Sequence, residues 1–95
     1  MLSRPDGGTY IIAEIGHNHQ GDVDLCKRMF SAAKEAGADA VKLQKRDNRS
    51  LFTRAMFAQP YSSEHAFGPT YGQHREALEF DRADYVELSL YAAGI

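Results

Sequence analysis

The chain has 95 residues, enough for one small domain. It is 43% hydrophobic and 25% charged with a formal net charge of -2, a balance that argues against a nucleic-acid or anionic-membrane surface. No run approaches the roughly 18 apolar residues of a membrane span, the N-terminus lacks the apolar core of a signal peptide, and the lone Cys26 excludes an internal disulfide framework and fits a reducing cytoplasm.

Residues 1–8 read as a loose lead-in. Thr9 to Ile15 is nearly continuous apolar, as expected for a buried strand. Period two puts Ile11, Ala13 and Ile15 on one face and Tyr10, Ile12 and Glu14 on the other. Gly16 to Gly21 is a turn, and Asp22 is the N-cap of a helix running to about Ala36. Cys26, Met29, Phe30, Ala33 and Ala36 make its apolar stripe, and Gly37 sits at C′. Cys26 on that stripe reads as core filler. Ala38 to Gln44 is a second strand, with Val41 and Leu43 on one face and Ala40, Lys42 and Gln44 on the other.

Lys45 to Phe80 has no long periodic pattern. Ser50 to Phe57 and Gln73 to Leu78 read as short helical turns, broken elsewhere by Pro60, Gly68, Pro69 and Gly72. So long a connection in a compact domain is usually functional, such as a lid or binding loop. The basic cluster Lys45, Arg46, Arg49 and Arg54 is interrupted by Asp47 and reads as a solvated loop or a contact for a small anion. The last element is a helix with Asp81 as N-cap, Asp84 at N3 and Phe80 stapled onto Tyr85; Tyr85, Leu88 and Ala92 form its stripe. The next strand is expected to begin at Gly94-Ile95.

Two strands joined by one helix form a βαβ unit, which makes them parallel. With Val41 and Leu43 against the helix, Glu14, Lys42 and Gln44 collect on the opposite face. They sit near the C-terminal strand ends, where α/β folds place their active sites. A two-stranded parallel sheet leaves both edges open, so the expected fold is α/β, the first two βα units of a truncated (β/α)8 TIM barrel. Residues 1–95 would be its N-terminal fragment, marginal in stability on its own.

The runs YIIAEIGHNHQGD, KEAGADAVKLQK, Gln59-Pro60-Tyr61 and TYGQHREALEF resemble the N-terminal part of the sialic acid synthase family, of the N-acetylneuraminate and N-acetylneuraminate-9-phosphate synthase type. Legionaminate, pseudaminate and spore-coat polysaccharide synthases share the element E-I-G-x-N-H-x-G. The resemblance covers residues 10 to 95 and implies a (β/α)8 barrel, often followed by a small antifreeze-like domain. It implies condensation of phosphoenolpyruvate (PEP) with an N-acyl-mannosamine or its 6-phosphate, giving a sialic-acid-type nonulosonic acid and phosphate. It further implies a homodimer in the full-length enzyme and a divalent metal, manganese or magnesium, whose ligands lie outside this chain. The chain alone is then expected to be inactive. The spacing between Tyr91 and Gly94 is two residues shorter than the family's usual text.

Roles follow residue by residue. Lys42 is a fixed cation for the phosphate or carboxylate of PEP, or else it snorkels from a strand end or pairs with Glu14 for packing. The resemblance puts Glu14 near the reacting carbons, holding the sugar or moving a proton. Gln44 suits sugar hydroxyls. Asn18 and His19 shape the turn or touch substrate; His17 and His19, two residues apart, are too few for a metal without a third ligand. Tyr71, His74 and Arg75 can reach an anionic sugar or form a solvated loop helix. Two other classes stand beside this reading: a non-catalytic remnant or binding fragment, and another PEP-using aldolase-like barrel, which the E-I-G-x-N-H-x-G element disfavours. Whether the encoding DNA continues in frame past Ile95 separates fragment from remnant.

Overall fold

The computed structural model describes residues 2–63 and 66–95. The expected connection from Lys45 to Phe80 therefore includes two residues, Glu64 and His65, that lie outside the described residues. The elements run β1 (Ile12–Gly16), α1 (Val23–Glu35), β2 (Ala40–Leu43), α2 (Asn48–Leu51), α3 (Arg54–Phe57), α4 (Tyr71–Leu78) and α5 (Arg82–Gly94). β1 and β2 pair in parallel, as a crossover through α1 requires. The observed architecture is thus α/β, a two-stranded parallel sheet with helices; two strands do not close a barrel.

Both strands are shorter than their apolar runs. β2 begins at Ala40 because Gly37 and Ala38 donate their N–H groups back to the Lys34 and Ala33 carbonyls, closing the C-terminal end of α1. β1 consequently has no partner before Ile11. The Ile11 N–H goes to the Asp39 carboxylate, and Ile11 is 46% exposed rather than packed on α1 as its phase suggests. Ala36 also leaves the expected stripe: it is the exposed C-cap of α1.

The core is Ile15, Cys26, Phe30, Phe80 and Leu88, with Val23, Met29, Val41, Leu43, Tyr85 and Tyr91 packed around it. Each large apolar side chain fully buried there contributes about 1.5–3 kcal/mol. α5 lies on α1, joined by the hydroxyls of Ser31 and Tyr91 and by a 3.3 Å ion pair from Lys27 to Glu87. Asp81 caps α5 in a reciprocal box: its carboxylate accepts from the Asp84 N–H, and Asp84 accepts from the Asp81 N–H. The Phe80 and Tyr85 rings meet edge to face at 6.0 Å, the expected staple. α5 continues through Gly94 with Ile95 as its cap, so no strand begins there, and Ala92 is exposed while Tyr91 packs inward.

The long connection is more structured than its pattern suggests. Its first helical stretch is two one-turn helices, α2 and α3, capped by Asp47 and Thr53. α4 starts two residues early, at Tyr71, because the Thr70 hydroxyl accepts from the Gln73 N–H. An isolated antiparallel bridge pairs Pro60 with Thr70. α4 approaches the β1–α1 turn so closely at Gly21 (φ 75°) that a Cβ there would collide with the Ala77 carbonyl oxygen.

Candidate functional site

The parallel register sets Glu14 directly beside Lys42, and their side chains form a 3.4 Å ion pair. Lys42 is 65% exposed and Glu14 46%, while Val41 and Leu43 on the alternate phase pack into the core. A pair this open to water stabilises a fold by about 0–1 kcal/mol. It is therefore a minor structural tie, and both charges stand free to meet a ligand. A bulge between Glu14 and Gly16 kinks β1 just past the pair.

Gln44 lies one residue beyond β2. Its side-chain oxygen accepts from Arg46 Nη2 at 2.7 Å, and its backbone carbonyl accepts from the Tyr85 hydroxyl at 3.3 Å. The turn after β1 is tightly wound: Asn18 Nδ2 donates to the Ile15 carbonyl, and Gln20 and Gly21 both take positive φ. For Gln20 this left-handed geometry costs roughly 1–2 kcal/mol. His19 is completely buried, its ring stacked on Phe80 at 4.0 Å, and its Nδ1 accepts from the Gly21 N–H. The proton of the neutral ring is thus on Nε2, which is buried with no hydrogen-bond partner among the described residues. Burial first, and the neighbouring His17 second, hold the His19 pKa below its ordinary value, with Glu79 opposing them.

His17 Nε2 lies 2.9 Å from Glu79 Oε1, with side chains 10% and 9% exposed. The two atoms are close but misaligned for a hydrogen bond, so the contact is electrostatic. The other Glu79 oxygen accepts from the Arg46 N–H at 3.2 Å. Glu79 therefore ties together the segments that follow β1 and β2. Sequence reasoning missed it, although a carboxylate between two buried apolar residues, Leu78 and Phe80, was the available signal.

Tyr71, His74 and Arg75 are all carried by α4. His74 is buried; its Nδ1 accepts from the Phe67 N–H and its ring packs 4.5 Å from Tyr61. Tyr71 meets Phe52 and Tyr61 edge to face, and the Arg75 guanidinium sits 6.0 Å from the Tyr71 ring. A cleft of about 450 Å³ lies between this helix and the β1–α1 turn, lined by His17, Asn18, Gln20, Tyr61, His74 and Leu78 among others. Asn18 and His74 thus share one cavity, whose lining does not include Tyr71 or Arg75. Of the basic cluster, Arg49 lies over the Phe57 ring at 4.7 Å.

Among the described residues no three His, Cys, Asp or Glu side chains are disposed to hold a metal ion. The resemblance puts the ligands of its divalent metal outside residues 1–95, so this absence says nothing of that metal. None of the helices among the described residues is long and apolar enough to cross a membrane.

Residues 29–95 match the profile of the NeuB family. The chain is 51% identical over 86 residues to N-acetylneuraminate-9-phosphate synthase of Mus musculus, covering 90% of this chain and 24% of that protein. It is 52% identical over 83 residues to the Homo sapiens enzyme of the same name, covering 87% and 23%. It is 40% identical over 81 residues to N,N'-diacetyllegionaminic acid synthase of Legionella pneumophila, covering 84% and 23%. The chain thus spans about a quarter of the length of these relatives. No solved structure matches it significantly.

Proposed function

The chain belongs to the NeuB family, a family of nonulosonic acid synthases, and from that premise we propose that it forms the opening part of a PEP-dependent synthase barrel. In this reading the enzyme condenses PEP with an N-acyl-mannosamine or its 6-phosphate, releasing phosphate. The higher identity to relatives named for a 9-phosphate product favours the phosphorylated sugar. Three carbons added to a six-carbon sugar make its C6 into C9, so a 9-phosphate product starts as a 6-phosphate.

The observation that carries the proposal is the Glu14–Lys42 pair, set in register at adjacent parallel strand ends and exposed opposite the core. Lys42 supplies a compact ammonium for a phosphate or carboxylate oxygen. Glu14, next to it, is placed to hold a sugar hydroxyl or to move the proton that a carbonyl oxygen needs as the new carbon–carbon bond forms. Gln44 contributes an amide two residues beyond Lys42, and Asn18 and His74 line a cleft between the β1–α1 turn and α4.

The test grafts residues 10–95 in place of the matching segment of the Mus musculus relative. Phosphate release that depends on both PEP and the N-acyl-mannosamine phosphate is expected, and Lys42→Ala should raise the PEP concentration it needs by about ten- to a hundredfold. A folded graft that binds neither substrate would sink the proposal in favour of the non-catalytic reading.

A further inference from the structure

We infer that Arg46 is a positioning residue that fixes the Gln44 amide with its NH2 group, not its oxygen, turned to the substrate. The inference rests on the reading of Gln44 as a substrate contact and adds which atoms it presents. Glutamine carries one acceptor and two donors, and its amide orientation is decided by its partners. Arginine has donors only. Arg46 Nη2, 2.7 Å from Gln44, must therefore face the oxygen, and the distance is that of a charge-assisted bond.

Three anchors hold this arrangement. The Gln44 backbone carbonyl is tied to the Tyr85 hydroxyl on α5. The Arg46 backbone N–H is tied to Glu79, whose other oxygen contacts His17 on the turn after β1. The Gln44 side chain is tied to the Arg46 guanidinium. Both segments leaving the strands are thus clamped around one buried carboxylate, and Gln44 is held as a donor. The matching substrate atom is an oxygen that accepts, such as the carbonyl of an N-acyl group; a hydroxyl that needs an acceptor competes with Arg46 and finds one lone pair of the Gln44 oxygen already taken.

The test is NMR of the 15N-labelled full chain, following the side-chain amide of Gln44 during titration with N-acetylmannosamine 6-phosphate. In the wild type the Gln44 amide pair is expected to stand away from free glutamine and to move on titration. Arg46→Met should return it to the free position and weaken binding about tenfold, as loss of an ordered charge-assisted contact implies. Arg46→Lys keeps a donor and should recover part of both effects, which a merely structural role for Arg46 would not give. An Arg46→Met variant whose Gln44 amide is unmoved, or whose binding equals the wild type, overturns the inference. A wild type in which neither the sugar nor PEP perturbs Lys42 or Gln44 overturns the proposed function instead, while the unliganded amide position still decides the Arg46 contact.

Discussion

Lys42 carries its charge in the open, and its ion-pair partner, the Glu14 carboxylate, is screened by water. Truncating it leaves no buried charge behind, so Lys42→Ala should change stability by less than about 1 kcal/mol. Its effect on ligands should be larger and selective. In the grafted enzyme the variant is expected to lose about 1.5–3 kcal/mol of PEP binding, the worth of a hydrogen bond to a charged group, with sugar binding little changed. Isothermal titration with each substrate separately measures this, and equal losses for both would show the role is misassigned. His19 behaves oppositely, because it is wholly inside. Its pKa is depressed when folded, while the unfolded chain takes up a proton near 6.5. Below that pH the unfolded state binds more protons, so stability should fall as pH drops from about 6.5 toward the depressed folded value. His19→Asn keeps an acceptor for the Gly21 N–H and cannot take a charge. Urea midpoints across this window should slope for the wild type and flatten for the variant; parallel slopes would refute the assignment to His19.

The elements that were legible in the sequence are those whose signals are local. Asp22 caps α1, and Asp81 with Asp84 builds the α5 capping box, each within three residues of the helix it starts. The phase of β2 was equally readable, since Val41 and Leu43 had one helix to pack on. What was not legible depended on partners far along the chain. Ile11 and Ile15 share a phase, yet only Ile15 is buried, because β1 has a partner strand only from Ile11 onward and Ile11 meets Asp39 instead of α1. The start of α4 was hidden by Gly72, which lowers helix propensity; a Cβ there would strike the Phe57 ring, so its reason is packing against α3. Glu14 beside Lys42 was readable from the βαβ register, whereas the Glu79 clamp needed a contact 62 residues from His17. The capping box offers a direct check at this scale. Asp81→Ala should cost about 0.5–2 kcal/mol, read as a lower urea midpoint, while Asp81→Asn or Asp81→Ser retains most of it. An alanine variant as stable as the wild type would mean that α5 is held by its packing on α1 alone.

At the scale of the whole molecule, surface outweighs core. The radius of gyration is 15.9 Å, against about 12 Å for a compact domain of this length. The accessible surface is 6667 Å², against roughly 5,500 Å² for a compact monomer of this mass. Exposed Ile11, Ile12, Val86 and Leu90 are part of the excess. The hydrophobic cluster holds five buried residues, little apolar burial to set against a conformational entropy cost of about 1–2 kcal/mol for each residue ordered. Folding free energy should therefore fall below the roughly 5–15 kcal/mol usual for domains. Cys26 reports it directly. Its side chain is completely buried and burial pushes its thiol pKa up to about 11, so the folded form is expected to resist alkylating reagents. Labelling must then wait for the core to open, and the ratio of its rate to that of the denatured chain gives the opening free energy. A value under about 5 kcal/mol is expected. Slower labelling, equivalent to a stability in the usual range, would show that α1, α5 and two strands hold each other without further cover, and the open face bearing Glu14 and Lys42 would then be a surface the chain sustains on its own.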